Sequence, residues 1–272
     1  MKSKQDGYRG RTALITGASS GIGEEFARIL AEEYGMNLIL VARRKDRLQA
    51  LAEELRPSGV SVELHSADLA KREETAHLID ALQEQPAEVD YLINNAGFGR
   101  QGPYLNIEEE TETNMIRLNI ESLTYLTRAF LPELKHRAQR AGGNGTSVMN
   151  VASTAAFFPG PYMTVYYATK AYVLSYSEGL AEELRGTGVT VTALCPGPTR
   201  SEFETRAGMT GKGLFAGRVP TAREVARYGI EAMLKGKTVA IQGLSNKFSV
   251  FFGRRIASRA LVRRLVAKIQ NF

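Results

Sequence analysis

Short apolar runs alternate with longer amphipathic segments along most of the chain. The segments between the runs carry apolar residues at helical spacing, as at Ile22, Phe26 and Ile29. The apolar runs have the length expected of β-strands that are buried on both faces: 12–16, 37–42, 60–65, 89–94, 146–151, 189–194 and 238–242. Alternating strands and helices predict an α/β fold, with one doubly wound parallel sheet of about seven strands and helices on both of its faces.

The pattern divides the chain into one folded domain, residues 1–244, and a tail, residues 245–272. A chain of 272 residues with 43% hydrophobic content can bury one large core. Within the domain, residues 198–220 are rich in Gly, Arg and Thr, lack periodicity and follow a predicted strand end. We predict that they form a substrate lid; a surface loop is the alternative. Thr221 and Glu224 have the spacing of a capping box that starts the next helix.

Positive charge is concentrated in the tail. It holds seven cations and no acids, so of the formal net charge of +6 the rest of the chain carries −1. On a helical wheel its cations lie opposite one apolar side, which is formed by Leu261, Val262, Leu265, Val266 and Ile269. Two interpretations follow: the apolar side packs on the domain or on a sister subunit, or the tail contacts a membrane surface. Because no nucleic-acid-binding motif is present, we expect no nucleic-acid partner.

Several functional classes lack support in the sequence. No apolar run reaches the roughly 18 residues of a membrane span, and the first residues lack an apolar export signal, so a cytoplasmic protein is expected. The single cysteine, Cys195, precludes an intrachain disulfide and is predicted to be a buried hydrophobe. His65, His77 and His136 lack metal-ligand spacing, so we expect no metal.

A glycine-rich turn joins the first predicted strand to the first predicted helix. Its sequence is Gly17-Ala-Ser-Ser-Gly-Ile-Gly23. The glycines allow a tight turn and close approach of a pyrophosphate, while the helix N-terminus offers unpaired N–H groups. The turn therefore predicts dinucleotide contacts at Gly17, Ser19, Ser20, Gly21, Ile22 and Gly23.

The end of the second predicted strand indicates which dinucleotide binds. An NAD-dependent protein usually has an acidic residue there for the ribose hydroxyl, whereas this chain has Arg43, Arg44 and Lys45. Cations suit a 2′-phosphate, so NADP(H) is the predicted cofactor, with Arg43 as the main contact and Arg44 beside it. The alternative is an exposed basic turn that starts a helix.

Ser153, Tyr166 and Lys170 carry the candidate chemistry. Tyr166 and Lys170 are four residues apart in a helical segment, so both lie on one helical face. A positive charge about 5 Å from a phenol is worth roughly 3 kcal/mol, or about two units of tyrosine pKa. We therefore expect Lys170 to lower the pKa of Tyr166 towards the range of efficient acid–base catalysis. Spacing alone leaves Tyr167 open, because it is three residues from Lys170.

These motifs, taken in order, resemble the short-chain dehydrogenase/reductase family over nearly the whole chain. The similarity rests on Thr16–Gly23, Asn94-Asn-Ala-Gly97, Asn119, Ser153, Tyr166, Lys170, Pro196-Gly197 and Thr199. The resemblance implies a Rossmann-fold catalytic domain and selects Tyr166 over Tyr167.

The same resemblance implies roles for further residues. Asn119 would hold a water that links Lys170 to solvent, and Asp68 would contact the adenine ring. Lys170 would also bond the nicotinamide ribose. It further implies cofactor contacts at Asn95, Ala96, Gly97, Pro196, Gly197 and Thr199, and assembly as a homodimer or homotetramer.

The predicted function is an NADPH-dependent oxidoreductase that reduces a ketone or aldehyde to an alcohol, or the reverse. An apolar carbonyl compound or long-chain ketone is favoured over a sugar, because few amide or carboxylate side chains lie in the loops around the candidate site. An apolar segment that precedes the tyrosine could line the pocket: Phe157, Phe158, Pro159, Pro161, Tyr162 and Met163. The same segment could belong to the core or to a subunit contact. Two alternatives remain: a non-catalytic NADP(H)-binding regulator, and a membrane-surface protein that acts through its tail.

Overall fold

Seven parallel strands form one sheet at the centre of the molecule. The computed structural model describes residues 6–84, 88–140, 145–209 and 219–270. The strands of the described part are β1 (Thr12–Thr16), β2 (Asn37–Ala42), β3 (Val62–Ser66), β4 (Tyr91–Asn94), β5 (Thr146–Val151), β6 (Val189–Cys195) and β7 (Val239–Ile241). Their order in the sheet is β3-β2-β1-β4-β5-β6-β7, which confirms the predicted doubly wound topology.

Helices cover both faces of the sheet, as predicted. Those of the domain are α1 (Gly21–Tyr34), α2 (Lys45–Leu55), α3 (Arg72–Glu84), α4 (Glu109–Ile116), α5 (Leu123–Arg140), α6 (Thr164–Glu183), α7 (Glu202–Arg206) and α8 (Ala222–Leu234). One face packs on apolar side chains of α1, α2 and α8, among them Phe26, Leu48 and Ile230. The other packs on α3 and α5, through residues such as Ile79 and Phe130. Each face therefore has its own apolar core.

The order of the strands determines where a ligand can bind. β1 pairs with β2 on one side and with β4 on the other, so the chain direction across the sheet reverses between β1 and β4. The carboxyl ends of parallel strands share one edge, and a crevice opens there at the reversal point. The glycine turn after β1, Arg43 and Arg44 after β2, and Asn95 after β4 all lie at this edge.

Strand boundaries agree with the prediction to within two residues. The apolar pattern begins the third strand at residue 60, whereas β3 begins at Val62. The chain is still leaving a turn there, because Gly59 has a left-handed φ of 71°. Cys195 is fully buried at the end of β6, as predicted.

The predicted lid segment is described only in part. Residues 198–209 and 219–220 are described and include α7, while 210–218 lie outside the described residues. The helix after them begins as predicted. Thr221 accepts a hydrogen bond from the backbone of Glu224, and the Glu224 carboxylate accepts one from the backbone of Thr221, so the capping box is confirmed.

Two helices form the tail side of the molecule, α9 (Leu244–Arg255) and α10 (Arg259–Ile269). The side chain of Val250 on α9 is buried, and so is that of Val262 on α10. The Arg254 guanidinium lies 5.5 Å from the centre of the Phe157 ring, which joins α9 to the loop after β5. None of the helices in the described residues is both long and apolar enough to cross a membrane.

Candidate active site

One cavity of about 680 Å³ opens at the carboxyl edge of the sheet. It brings together most residues that the sequence predicted for cofactor binding and catalysis. Those that line it are Gly17, Ser19, Ser20, Gly21, Ile22, Arg43, Arg44, Asp68, Asn95, Ala96, Gly97, Ser153, Tyr166, Lys170, Pro196, Gly197 and Thr199. Gly23 and Asn119 are the two predicted site residues that do not line the cavity wall.

The glycine turn is shaped to hold an anion. Gly17 and Gly21 have left-handed φ values of 67° and 59°, which favour glycine. A Cβ on Gly23 would lie 2.3 Å from the carbonyl oxygen of Gly17, so this glycine permits tight packing of helix against turn. Ser20 is the N-cap of α1, yet its side chain makes no capping hydrogen bond. The first-turn N–H groups therefore remain available to a bound pyrophosphate, and the turn fits a dinucleotide.

Cations surround the cavity at the end of β2. The Arg44 guanidinium donates to the carbonyl oxygen of Ser19 at 3.0 Å, which ties it to the glycine turn. Arg43 is more exposed, and its nearest carboxylate, Asp68, is 3.9 Å away. Arg206 on α7 also lines the cavity. Burial lowers the pKa of Arg206, and the neighbouring positive charge of Arg44 lowers it further.

One carboxylate oxygen lies between two of these guanidiniums. Oε2 of Glu202 is 3.1 Å from Arg44 and 2.8 Å from Arg206. The two guanidiniums thus converge on one anionic group, which is Glu202 here, and a phosphate that bound both of them would have to displace this carboxylate. The sequence placed α7 in the predicted lid but gave no reason to single out Glu202 or Arg206, because their partner Arg44 is distant in the chain.

Ser153, Tyr166 and Lys170 converge on the cavity from two elements. Ser153 follows β5 and caps the short helical turn Thr154–Phe157 by accepting a hydrogen bond from the Ala155 backbone at 3.1 Å. Tyr166 and Lys170 lie one turn apart on α6, and all three side chains are buried. Nζ of Lys170 donates to the carbonyl oxygen of Val151 at 2.7 Å and lies 5.9 Å from the centre of the Tyr166 ring.

Burial is the main influence on the pKa values of Tyr166 and Lys170, and this finding corrects one expectation. Burial raises the pKa of Tyr166, and the neighbouring Ser153 hydroxyl acts in the opposite direction. The expected lowering by Lys170 is not among the influences on the pKa of Tyr166. Burial also lowers the pKa of Lys170 itself, to about 8. Tyr166 is therefore a protonated phenol at neutral pH, the form that can donate a proton.

The buried lysine predicts a specific dependence of stability on pH. Its pKa of about 8 in the folded chain lies below the usual 10.5, so the unfolded chain binds more protons between these values. Its contribution to stability therefore rises with pH. We expect the unfolding free energy of wild type, measured relative to Lys170→Met, to increase by roughly 2–3 kcal/mol from about pH 7 to about pH 10. Urea titrations of both proteins measure it; a pH-independent difference contradicts the shifted pKa.

Asn119 supports the site without lining it. It lies in a π-helical turn, Arg117–Ser122, between α4 and α5. Its Oδ1 accepts from the Phe98 backbone at 3.1 Å, and its Nδ2 donates to the Phe98 carbonyl and to the Thr169 hydroxyl. The side chain thus holds the loop after β4 against α6. The predicted role in holding a water near Lys170 stays a prediction.

The end of the cavity beyond Tyr166 is apolar. Its wall includes Phe98, Met163, Phe203 and Met209. Of the apolar segment that the sequence proposed as a pocket lining, only Met163 reaches the cavity. Phe157 and Phe158 contact α9 instead, since a Cβ on Gly253 would lie 2.4 Å from the Phe158 ring. Of the other three pocket residues, Phe98 follows β4, Phe203 lies on α7 and Met209 follows α7, and none of them was individually predicted to line the pocket.

The residue that follows α10, Gln270, contacts a side chain of the cavity wall. Gln270 is buried, and its Nε2 donates to the Tyr167 hydroxyl at 3.0 Å. Gln101 donates to both the backbone oxygen and the side-chain oxygen of Gln270, at 3.0 Å and 2.8 Å. Tyr167 lines the cavity, and its ring lies edge-on to that of Tyr166 at 6.1 Å between centres. The tail therefore supports a residue that packs beside the candidate catalytic tyrosine.

Comparison with known proteins agrees with this fold. The family model for short chain dehydrogenase matches residues 11–210. A sulfoacetaldehyde reductase of Chromohalobacter salexigens is 40% identical over 193 residues, 70% of this chain and 73% of that protein. Among the curated relatives, the aligned region spans between 56% and 77% of the relative's own length.

Two solved structures are similar over nearly the whole chain. A short-chain dehydrogenase from Sphingobium yanoikuyae, in complex with NADPH, is 35% identical with a TM-score of 0.76, covering 90% of this chain and 93% of that one. A bulky-bulky ketone specific alcohol dehydrogenase from Comamonas testosteroni is 32% identical with a TM-score of 0.73, covering 90% and 92%.

The parallel sheet, the glycine turn and the shared cavity define a dinucleotide-binding protein of the Rossmann type. The chain belongs to the short-chain dehydrogenase/reductase family and is an oxidoreductase of that class. The predicted family is thereby confirmed.

Proposed function

We propose that the protein uses NADPH to reduce a ketone or aldehyde to an alcohol, or catalyses the reverse reaction. The observation that carries the proposal is the convergence of Ser153, Tyr166 and Lys170 on the cavity that also holds the glycine turn. A cofactor-binding regulator would need the glycine turn but not a buried proton donor beside it. The catalytic arrangement therefore favours an enzyme.

Each of the three side chains has a chemical role in this proposal. A bound nicotinamide would supply the hydride that is added to the carbonyl carbon. The Tyr166 hydroxyl donates the proton that the carbonyl oxygen gains, and in the reverse reaction its deprotonated form accepts the proton of the alcohol. Ser153 donates a hydrogen bond that orients the same oxygen. Lys170 holds the pocket floor through its bond to Val151 and contributes positive charge when it is protonated.

NADPH is preferred over NADH in this proposal because of the cations around the end of β2. Arg43, Arg44 and Arg206 line the same end of the cavity. Guanidiniums bind phosphate through paired, charge-assisted hydrogen bonds, which a ribose hydroxyl cannot match. The S. yanoikuyae relative was solved with NADPH, which supports the same assignment.

We infer an apolar carbonyl compound as the substrate. The space beside Tyr166 is bounded by Phe98, Met163, Phe203 and Met209, which present rings and thioethers rather than charged groups. The C. testosteroni relative is named as specific for bulky ketones, whereas the C. salexigens relative is named for a small sulfonated aldehyde. A sulfonate would need an available cation beside Tyr166. Nζ of Lys170 lies 5.9 Å from the centre of the Tyr166 ring, but it is buried and donates to the carbonyl oxygen of Val151.

The test is NADPH consumption by the purified full chain. Aryl ketones, long-chain ketones, apolar aldehydes and sulfoacetaldehyde are compared, each with NADPH and with NADH. We expect turnover with NADPH and a higher kcat/KM for the apolar ketones. Tight NADPH binding without turnover of any compound would favour the regulator instead, and preference for sulfoacetaldehyde would contradict the apolar pocket. Light scattering of the same sample tests the predicted homodimer or homotetramer.

A further inference from the structure

The outward side of α9 is apolar. Val250 and Gly253 face the domain, while the opposite side of the helix carries Phe248, Phe251 and Phe252. Phe248 is 69% exposed and Phe251 58% exposed, and the rings of Phe248 and Phe252 stack on each other. A helix that faces water normally presents polar residues on this side. On α9 this side carries aromatic residues instead, so the surface is suited to burial against a binding partner.

The apolar surface continues beyond α9. Ile256 follows that helix with 62% exposure, and part of the apolar side of α10 is also open to solvent. Val262 is buried, but the residues beside it on α10 remain about half exposed: Leu261, Leu265 and Ile269. The packing interpretation of the tail thus accounts for only part of its apolar side chains.

Cations surround this surface without acidic partners. The tail carries seven of them, and within the described residues none lies within salt-bridge distance of a carboxylate. They are Lys247, Arg254, Arg255, Arg259, Arg263, Arg264 and Lys268. A partner must therefore accept both aromatic side chains and a dense positive charge.

The combination of exposed aromatic side chains and cations indicates which class of partner binds. In a symmetric contact with a second copy, each surface meets the same surface, so seven cations would oppose seven others. An anionic bilayer attracts the cations and accepts the aromatic rings at the boundary between headgroups and acyl chains. We propose that α9 and α10 together form a docking surface for an anionic lipid membrane, on which the domain rests without spanning it.

The test is co-sedimentation of the full chain with vesicles of phosphatidylcholine, with and without phosphatidylglycerol. We expect binding to the anionic vesicles at low salt and little binding to the neutral ones. The double variant Phe248→Ser/Phe251→Ser removes apolar area at unchanged charge, and we expect it to weaken partitioning by about tenfold or more. Arg263→Gln/Arg264→Gln removes two charges and should also weaken partitioning, since each Lys or Arg near such a surface contributes about fivefold to the partition coefficient.

Matched controls lie elsewhere on the surface. Leu105→Ser removes an apolar side chain that is 91% exposed, and Arg185→Gln removes an exposed cation; neither should change partitioning. Thermal unfolding of every variant establishes that it is folded. No binding of wild type to anionic vesicles overturns the proposal. Unchanged binding in both double variants also overturns it. A third contradicting result is a wild-type protein that does not bind the vesicles but forms a dimer that Phe248→Ser/Phe251→Ser cannot form.

Discussion

Tyr166→Phe is expected to lower kcat by about a thousandfold or more while NADPH binding is retained. The substitution removes only the phenolic hydroxyl. The aromatic ring at position 166 can keep its packing against the Phe203 ring, since the two ring centres lie 5.4 Å apart. Removing a general acid costs about 10²–10⁴ in rate, and here the oxygen would also lose its positioned donor. Steady-state kinetics with the best ketone and fluorescence titration with NADPH measure the two effects separately.

Tyr167→Phe is the matched control. This neighbour lines the same cavity, but its hydroxyl accepts a hydrogen bond from Gln270 rather than facing Ser153. Its loss should change kcat by only a small factor. Full activity in Tyr166→Phe, or equal damage in both variants, would show that another group moves the proton.

Arg43→Asp is expected to weaken NADPH binding by roughly 2–4 kcal/mol, which is about 30- to 1,000-fold in Kd. The substitution removes a phosphate partner and places a second carboxylate near Asp68, which lies 3.9 Å from the Arg43 guanidinium. NADH lacks the 2′-phosphate, so its affinity should change much less. Titration of the variant with each nucleotide measures the difference.

Arg47→Asp provides the control for charge alone. Arg47 is exposed on the first turn of α2 and does not line the cavity, although it adds to the positive potential that acts on Arg206. Its replacement should have only a small effect on the affinity for either nucleotide. If Arg43→Asp weakens NADPH and NADH equally, the 2′-phosphate does not contact this residue.

The fold was predictable because its signals are local. Buried parallel strands appear as continuous apolar runs, and glycines mark the turn after β1, so a doubly wound sheet of about seven strands could be inferred from pattern and family resemblance. The cofactor side of the site was predictable for the same reason. Each of its residues follows a strand end, and parallel strands bring their carboxyl ends together.

The substrate side was not predictable from local patterns. Phe98 and Phe203 line the cavity and Gln270 supports Tyr167 in its wall, from three distant parts of the chain, and nothing in their sequence neighbourhoods connects them. The titration of Tyr166 was also misjudged. The sequence shows that a lysine lies one helical turn away, but the burial that dominates both pKa values depends on the packing of the whole site.

The contact of Gln270 with Gln101 and Tyr167 has a consequence for folding. It closes loops of 169 and 103 residues, among the longest in the structure, and such closures come at a high entropic cost. The residues that line the cofactor side of the cavity all precede α9 and α10 in the chain, so they can assemble without this contact. During refolding, the capacity to bind nucleotide should therefore not wait for α10, whereas Tyr167 gains its hydrogen bond only once Gln270 has docked.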